Sequence, residues 1–497
     1  MADFGMNLAR YCLTNASPAP GTTALEVVGP DSLLKERWTY GGIESAVLSI
    51  AGGLEAKGLK RGDRVLLRLG HSSDFPLVFF GAIAGGFVPI PTSEMLTSAE
   101  AAAILEDSGA AAVIHDGHTA LPGGGALALG PDDLAALKAH ERGQYADTTS
   151  DDPAFLIYTS GTSGTPKGVL HAQRTAIGRT PMYQAWYGIS ASDRLLHAGA
   201  FNWTYTLGVG LMDPWANGAT SLVYDGPRDP EIWPGLIENS KATLFAAVPS
   251  LYRRLLKYGD VSTASFPALR HGLTAGEALP ADLHREWVDR TGRPLYEALG
   301  MSEISTYISS GPTVPTRPGS PGKPQAGRKV AILSEDGKGE DFAAVGEPGL
   351  LAVHESETGL MLGYWNRPEE TAAAFRAGWF LTGDRARADQ DGYYWYEGRA
   401  DDLMNAFGYR VAPEEVERTL GAHPDVLEVA VTAVPVREGV SLITAFVVPR
   451  TAGWHDETAL ADWAHDRLAE YKRPKGYRFV ASLPRTPSGK VRRKVLI

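Results

Sequence analysis

The sequence predicts an α/β protein with a large N-terminal domain of parallel α/β sheets, a barrel-like section, and a small α+β C-terminal domain. Three observations lead there. Helical apolar spacing alternates with short apolar runs from residue 38 to about 275. From about residue 316 the pattern changes to short strands parted by turns such as PGSPGKP, LSEDGKG and DQDGYY. After GRADD (398–402), a capped helix and a strand open a separate C-terminal section. With 497 residues the chain exceeds what one core accommodates.

Taken in order, WTYGGIESAVLSIAGGLE (38–55) carries helical spacing, and Gly62-Asp63 separates it from the strand RVLLRL. The longest uncharged run, 75–93, holds three Pro and three Gly and reads as a buried helix then strand rather than a membrane span. AAAILEDSGAAAVIHD continues the alternation, as do AFLIY, ATSLVYDG, ATLFAAVPS and ALRHGLTAGEAL. In the C-terminal section, APEEVERTLGAHPDVLEVAVTAVPV predicts helix then strand, ALADWAHDRLAEY an amphipathic helix, and a basic end follows.

Composition narrows the function. Apolar content of 44% and charged content of 21% are ordinary for a globular protein. A net charge of −11 argues against nucleic acid or anionic membrane as the main partner, so any polyanion must bind in a local pocket. Cys12 is the single cysteine, which excludes an intramolecular disulfide and Cys-based metal sites. The N-terminal stretch lacks the pattern of a signal peptide, and a cytoplasmic location is expected.

The segment YTSGTSGTPKGV (158–169) is rich in Gly, Ser and Thr and carries Lys167 near its end. Glycines let the backbone approach a ligand, hydroxyls and N–H groups donate, and the lysine suggests an anion. It is not a Walker loop, because Lys167 is followed by Gly168, and it lacks G-x-G-x-x-G. A flexible linker is the plain alternative. FLIY before it reads as a buried strand and VLHAQRTAI after it as the opening of a helix, so a phosphate-binding strand–turn–helix is expected.

Further motifs follow in a fixed order: LGMSE (299–303), WFLTGD (379–384), YEGRADD (396–402), FGYRVAPEEVE (407–417) and LPRTPSGK (483–490). Together with the Gly-rich segment they resemble the adenylate-forming, or acyl-activating, enzyme superfamily over nearly the whole chain. Its acyl-CoA synthetase branch, with acetyl, medium-chain and benzoate-type members, is the one resembled here.

The resemblance implies ATP, Mg²⁺ and coenzyme A, and a small-molecule carboxylic acid as substrate. It also implies a domain pair, 1–398 binding ATP and acid and 399–497 mobile and carrying the catalytic lysine. Joining a carboxylate to AMP brings two anions together, so positive charge is needed where they meet. Lys490 supplies it by resemblance, the alternative being a solvated lysine of the basic tail. Arg492, Arg493 and Lys494 are read as solvated. Glu303 would hold Mg²⁺, a hard cation suited to carboxylate and phosphate oxygens; the alternative is a carboxylate at a helix N-terminus. Ser302 and Thr159 complete the expected catalytic group.

By the same resemblance Thr159, Ser160, Gly161, Thr162, Ser163, Gly164 and Thr165 grip the pyrophosphate end. Lys167 either touches phosphate or pairs structurally. Gly276, Glu277, Ala278, Leu299, Gly300 and Met301 border the adenylate, with Leu299 where many members carry an aromatic ring. Asp384 would accept from the ribose hydroxyls, against the alternative of a turn former, and Arg399 would contact ribose or phosphate. Asp401 matches the family's hinge. Gly408, Tyr409 and Arg410 would border CoA, although Asn405 stands where many ligases have Lys.

Asn202, Trp203, Tyr205, Ala275, Gly300 and Met301 are the candidate acid pocket, Trp203 being alternatively plain core. LGMSE lacks the extra Trp of an acetate-sized pocket, so an aromatic or medium-chain acid is expected. A carrier-protein adenylation enzyme and a non-catalytic nucleotide sensor are the rival readings. The chain stops at Ile497, seven residues past Lys490, which favours the free-standing ligase. No membrane span is expected, and a homodimer is one expected assembly.

Overall fold

The computed structural model describes residues 5–497 except 160–166, 228, 338, 401–403, 407–408, 412, 438–439, 469 and 486–490. Two compact units emerge: Met1–Lys329 with His354–Phe375, and Val330–Val353 with Arg376–Ile497. The boundary expected after residue 398 falls inside the second unit, because the strands Trp379–Ala388 and Tyr394–Arg399 pair with each other and the helix Pro413–Gly421 packs on the latter.

Among the described residues the first unit holds a nine-stranded sheet. Its central strands are parallel: Thr23–Val28, Thr220–Tyr224, Arg194–His197, Leu244–Ala247, His271–Ala275 and Leu295–Met301, in that spatial order. Antiparallel strands Leu34–Thr39 and Ser305–Ser309 flank them. A second, four-stranded parallel sheet comprises Val88–Pro91, Arg64–Arg68, Ala112–His115 and Leu127–Leu129. The alternation read from sequence thus becomes two largely parallel sheets, whose central strands are buried as parallel strands require.

The run 75–93 is the helix Asp74–Ala84 followed by the strand Val88–Pro91. Every residue from Phe75 to Ala84 is buried, which explains why that helix carries no polar face. Tyr40–Ala56 is capped by Thr39, whose hydroxyl accepts from the Gly42 N–H at 3.1 Å. Ser98–Ser108 opens on a Thr97/Glu100 capping box and ends at Gly109 with φ +58°.

One expectation is corrected here. The segment after the Gly-rich loop is a strand, Lys167–Ala172, pairing antiparallel with Pro153–Thr159, so the loop joins a hairpin and not a strand to a helix. Gly363–Tyr364 adds a third strand beside it. His171 stacks on Phe155 at 4.4 Å inside this layer, and that burial is what a strand provides for alternate side chains.

The second unit contains a small sheet with antiparallel pairing between Val330–Leu333 and Gly349–His354, and between Trp379–Ala388 and Tyr394–Arg399. The C-terminal section adds the sheet Val426–Arg437, Val440–Pro449 and Gly476–Phe479 under the helices Pro413–Gly421 and Glu457–His465. Arg493, expected to be solvated, is instead partly buried against two carboxylates, with Nη2 2.8 Å from Glu417 Oε2 and 3.1 Å from Glu414 Oε1. The helix Pro413–Gly421 presents both acids on one face, and the tail folds back to meet them.

Candidate active site

In the first unit the C-terminal ends of adjacent parallel strands gather the candidate acid-pocket and adenine-loop residues, at the edge where open α/β sheets bind ligands. Ala275 ends one strand and lies level with Ala298 of the next, which continues to Leu299, Gly300 and Met301. Gly276 follows with φ +91°, and Glu277 Oε1 accepts from Ser250 Oγ at 3.3 Å. His197 ends the Arg194–His197 strand, accepts the Gly199 N–H at Nδ1 (2.8 Å), and meets the Tyr205 ring edge-on at 4.5 Å. Asn202, Trp203 and Tyr205 are half-buried around the start of the short helix Thr204–Leu207. The candidate acid pocket and the candidate adenine loop therefore share one sheet edge.

Glu303 lies in the turn between Leu295–Met301 and Ser305–Ser309, which removes the alternative of a helix N-terminus. Gly300 is obligatory there, since a Cβ would come within 2.5 Å of the Ser305 carbonyl. Ser305 is held at φ +76°, a left-handed conformation that costs a non-glycine residue on the order of 1–3 kcal/mol. The Met361 N–H donates to the Glu303 carbonyl (2.8 Å) and Tyr364 Oη donates to Glu303 Oε1 (2.9 Å). Tyr364, within MLGYWNRPEET, escaped the sequence reading because GYW matches no phosphate or metal motif. His171 is fully buried beside the Ser302 main chain, and burial holds its ring down to about 3, neutral at every working pH.

Lys167 forms an ion pair with Glu370 and lies 5.3 Å from the Tyr364 ring centroid. Of its two expected roles, structural pairing is the one present in this conformation. Thr159 closes the preceding strand, its hydroxyl 3.5 Å from the Lys167 carbonyl. Ser160, Gly161, Thr162, Ser163, Gly164 and Thr165 lie outside the described residues.

Glu297, two residues before Leu299, supports the candidate adenine loop through Oε1, which accepts the Leu279 N–H at 2.9 Å. Burial pushes its carboxyl up to about 7 from an ordinary value of 4.5. Between those values the folded chain keeps a proton that the unfolded chain has released, so this group's contribution to stability falls as pH rises through the window. Glu297→Gln retains an acceptor and cannot ionise. Thermal unfolding from pH 5 to 8 is expected to show the variant gaining on wild type as pH rises, by up to about 3 kcal/mol. A constant difference across that range contradicts the buried-carboxyl account.

In the second unit Asp384 and Arg399 face each other on paired strands. Arg399 Nη1 lies 3.3 Å from Asp384 Oδ1 and donates to the Thr382 carbonyl at 3.0 Å. Gly383, at φ +75°, leaves the guanidinium its space: a Cβ there would come within 2.6 Å of it. Asp384 is thus a buried strand residue and not a turn former. Tyr409 and Arg410 lie on the strand Tyr409–Val411, which pairs with Met404–Ala406 as a hairpin. Gly408, the hinge candidate Asp401 and the candidate catalytic Lys490 lie outside the described residues.

Comparison with known proteins identifies the family. The AMP-binding enzyme family matches residues 14–365, and the AMP-binding enzyme C-terminal domain matches 415–490. A 3-hydroxybenzoate–CoA ligase of Aromatoleum sp. (strain CIB) is 32% identical over 92% of this chain and 90% of its own. A benzoate–CoA ligase of Thauera aromatica is 34% identical over 88% of this chain and 86% of its own. The crystal structure of ATP-bound MatB from Rhodopseudomonas palustris superposes with a TM-score of 0.89 at 27% identity, covering 99% of this chain and 98% of that one. The chain therefore belongs to the AMP-binding enzyme family, in its acyl-CoA synthetase branch.

Proposed function

We propose that this protein activates an aromatic monocarboxylic acid of about benzoate size. It is an ATP-dependent acid–CoA ligase. A carboxylate oxygen attacks the α-phosphorus of ATP, the bond to pyrophosphate breaks, and acyl-AMP forms. The CoA thiol then attacks the acyl carbon, losing its proton, and AMP leaves. The observation that carries the site reading is the Glu303 turn, held by Tyr364 and Met361 at the edge shared by the acid and adenine candidates.

Several roles belong to this proposal. Glu303 offers a carboxylate to Mg²⁺ that arrives with the nucleotide. A single carboxylate suits this ion, which keeps waters and phosphate oxygens as its other ligands, and no cluster of three or more ligating side chains exists among the described residues. The ion would neutralise phosphate charge. Asp384 accepts from ribose, Arg399 steadies it, and Lys490 supplies charge at the α-phosphate. Asp401 acts as the hinge, and Gly408, Tyr409 and Arg410 border CoA. Trp203 and Tyr205 supply aromatic walls beside His197, while Ala275 and Gly300 leave room.

No helix among the described residues is long and apolar enough to cross a membrane. A cytoplasmic location and a homodimer are retained as part of the same proposal. A steady-state screen of acetate, hexanoate, benzoate and 2-aminobenzoate tests the acid. Benzoate or its amino derivative is expected to give the highest kcat/KM; preference for hexanoate or acetate overturns the aromatic reading.

A further inference from the structure

The Glu303 turn has a second support, through Ser305, that no motif includes. Arg179 is 2% exposed, and its Nε and Nη2 each meet a different oxygen of Asp213 at 2.6 Å. Its remaining arm, Nη1, donates to Ser305 Oγ at 2.5 Å. Asp213 is fully buried and also accepts from Tyr187 Oη at 2.6 Å. Burial works against the Arg179 charge, yet Asp213 beside it keeps the guanidinium firmly protonated.

Two details make this more than an incidental ion pair. The first is room. A Cβ on Gly208 would lie 1.9 Å from Arg179 Nη2, so the wide turn Gly208–Met212 is shaped around the guanidinium. The second is strain. Ser305, which takes the third arm, is the left-handed residue of the Glu303 turn, two positions from the carboxylate. A backbone conformation of this kind persists where its surroundings enforce it. Asp213, in turn, opens the helix Asp213–Ala216, which continues directly from the helical segment beginning at Thr204, next to Trp203.

We propose that Arg179 is a positioning residue for Glu303, acting through Ser305 Oγ, and that it ties the acid-pocket segment to the nucleotide-side carboxylate. The bidentate grip on Asp213 fixes the guanidinium plane. The free direction of that plane then fixes Ser305, and Ser305 sets the angle at which the turn presents Glu303. The inference rests on the reading of Glu303 given above.

The test measures binding of α,β-methylene-ATP by calorimetry over a Mg²⁺ series, for wild type, Ser305→Ala, Arg179→Lys and Glu303→Gln. Ser305→Ala removes only the hydroxyl and leaves the Arg179–Asp213 pair. It is expected to weaken Mg²⁺-dependent nucleotide affinity about tenfold, with a thermal midpoint near wild type. Its CoA-dependent thiolysis of synthetic acyl-adenylate is expected to be unchanged. Arg179→Lys, which keeps charge beside Asp213 but loses the fork, should weaken affinity similarly. If Glu303→Gln weakens binding and Ser305→Ala does not, the positioning role is overturned. A lower thermal midpoint in Ser305→Ala with wild-type affinity overturns it equally, because the contact is then purely structural. If Glu303→Gln itself binds as wild type, the reading of Glu303 fails, and this inference with it.

Discussion

Replacing Lys490 with Ala is expected to reduce acid-dependent ATP–pyrophosphate exchange by ~10³-fold, equivalent to about 4 kcal/mol of transition-state stabilisation. The carboxylate and the α-phosphate both carry negative charge, and the charge on the phosphoryl oxygens is at its most demanding as the new bond forms. A lysine is a compact charge on a long stem, suited to being brought in for that moment and then withdrawn. Thiol attack on acyl-adenylate makes no such demand, so CoA transfer from synthetic acyl-adenylate should proceed near the wild-type rate. Normal exchange in the variant contradicts the assignment; equal loss in both half-reactions indicates misfolding.

The second large effect concerns Asp401. In the proposed mechanism two reactions on one site need two arrangements of the C-terminal section, one bringing Lys490 and one bringing the Gly408 segment. A rotation between them is absorbed by a few backbone angles, and Pro at 401 fixes φ near −65°. The contact that such a rotation would have to open is visible inside the second unit. Glu414, from the helix Pro413–Gly421, reaches so close to Gly398 that a Cβ there would overlap its carboxylate, and Arg493 pairs with the same acid. Asp401→Pro is expected to preserve acyl-adenylate formation and to slow thioester formation on the order of 10²-fold. Retention of both half-reactions would sink the hinge.

The parallel sheets were legible because helices and strands have different apolar periods, and stretches such as 38–55 and RVLLRL show theirs without interruption. The Gly-rich loop is legible by composition, but the strand that leaves it is not. VLHA is too short for period to separate strand from helix, and only pairing with Phe155–Thr159 decides it. Asp384 and Arg399 belong to two separate motifs, and their register on neighbouring strands is a tertiary fact. The Arg179–Asp213–Ser305 connection was not legible at all. Its members stand 34 and 126 residues from Arg179, each in an unremarkable local sequence, and nothing short of the folded chain brings them together. Glu297 was hidden for a related reason: a carboxylate in a strand announces neither its burial nor its proton.

The wide turn Gly208–Met212 has a consequence for how this protein can be altered. Such a turn holds one more residue than a turn of the α-helix around it, so its five residues cover about the rotation that four cover in an α-helix. Deleting one residue from 208–212 is therefore expected to leave an ordinary α-turn, with Asp213 still on the side of Arg179 and Trp215 still against Phe80. What a shorter segment would lose is width, and that width is where the Arg179 guanidinium lies against Gly208.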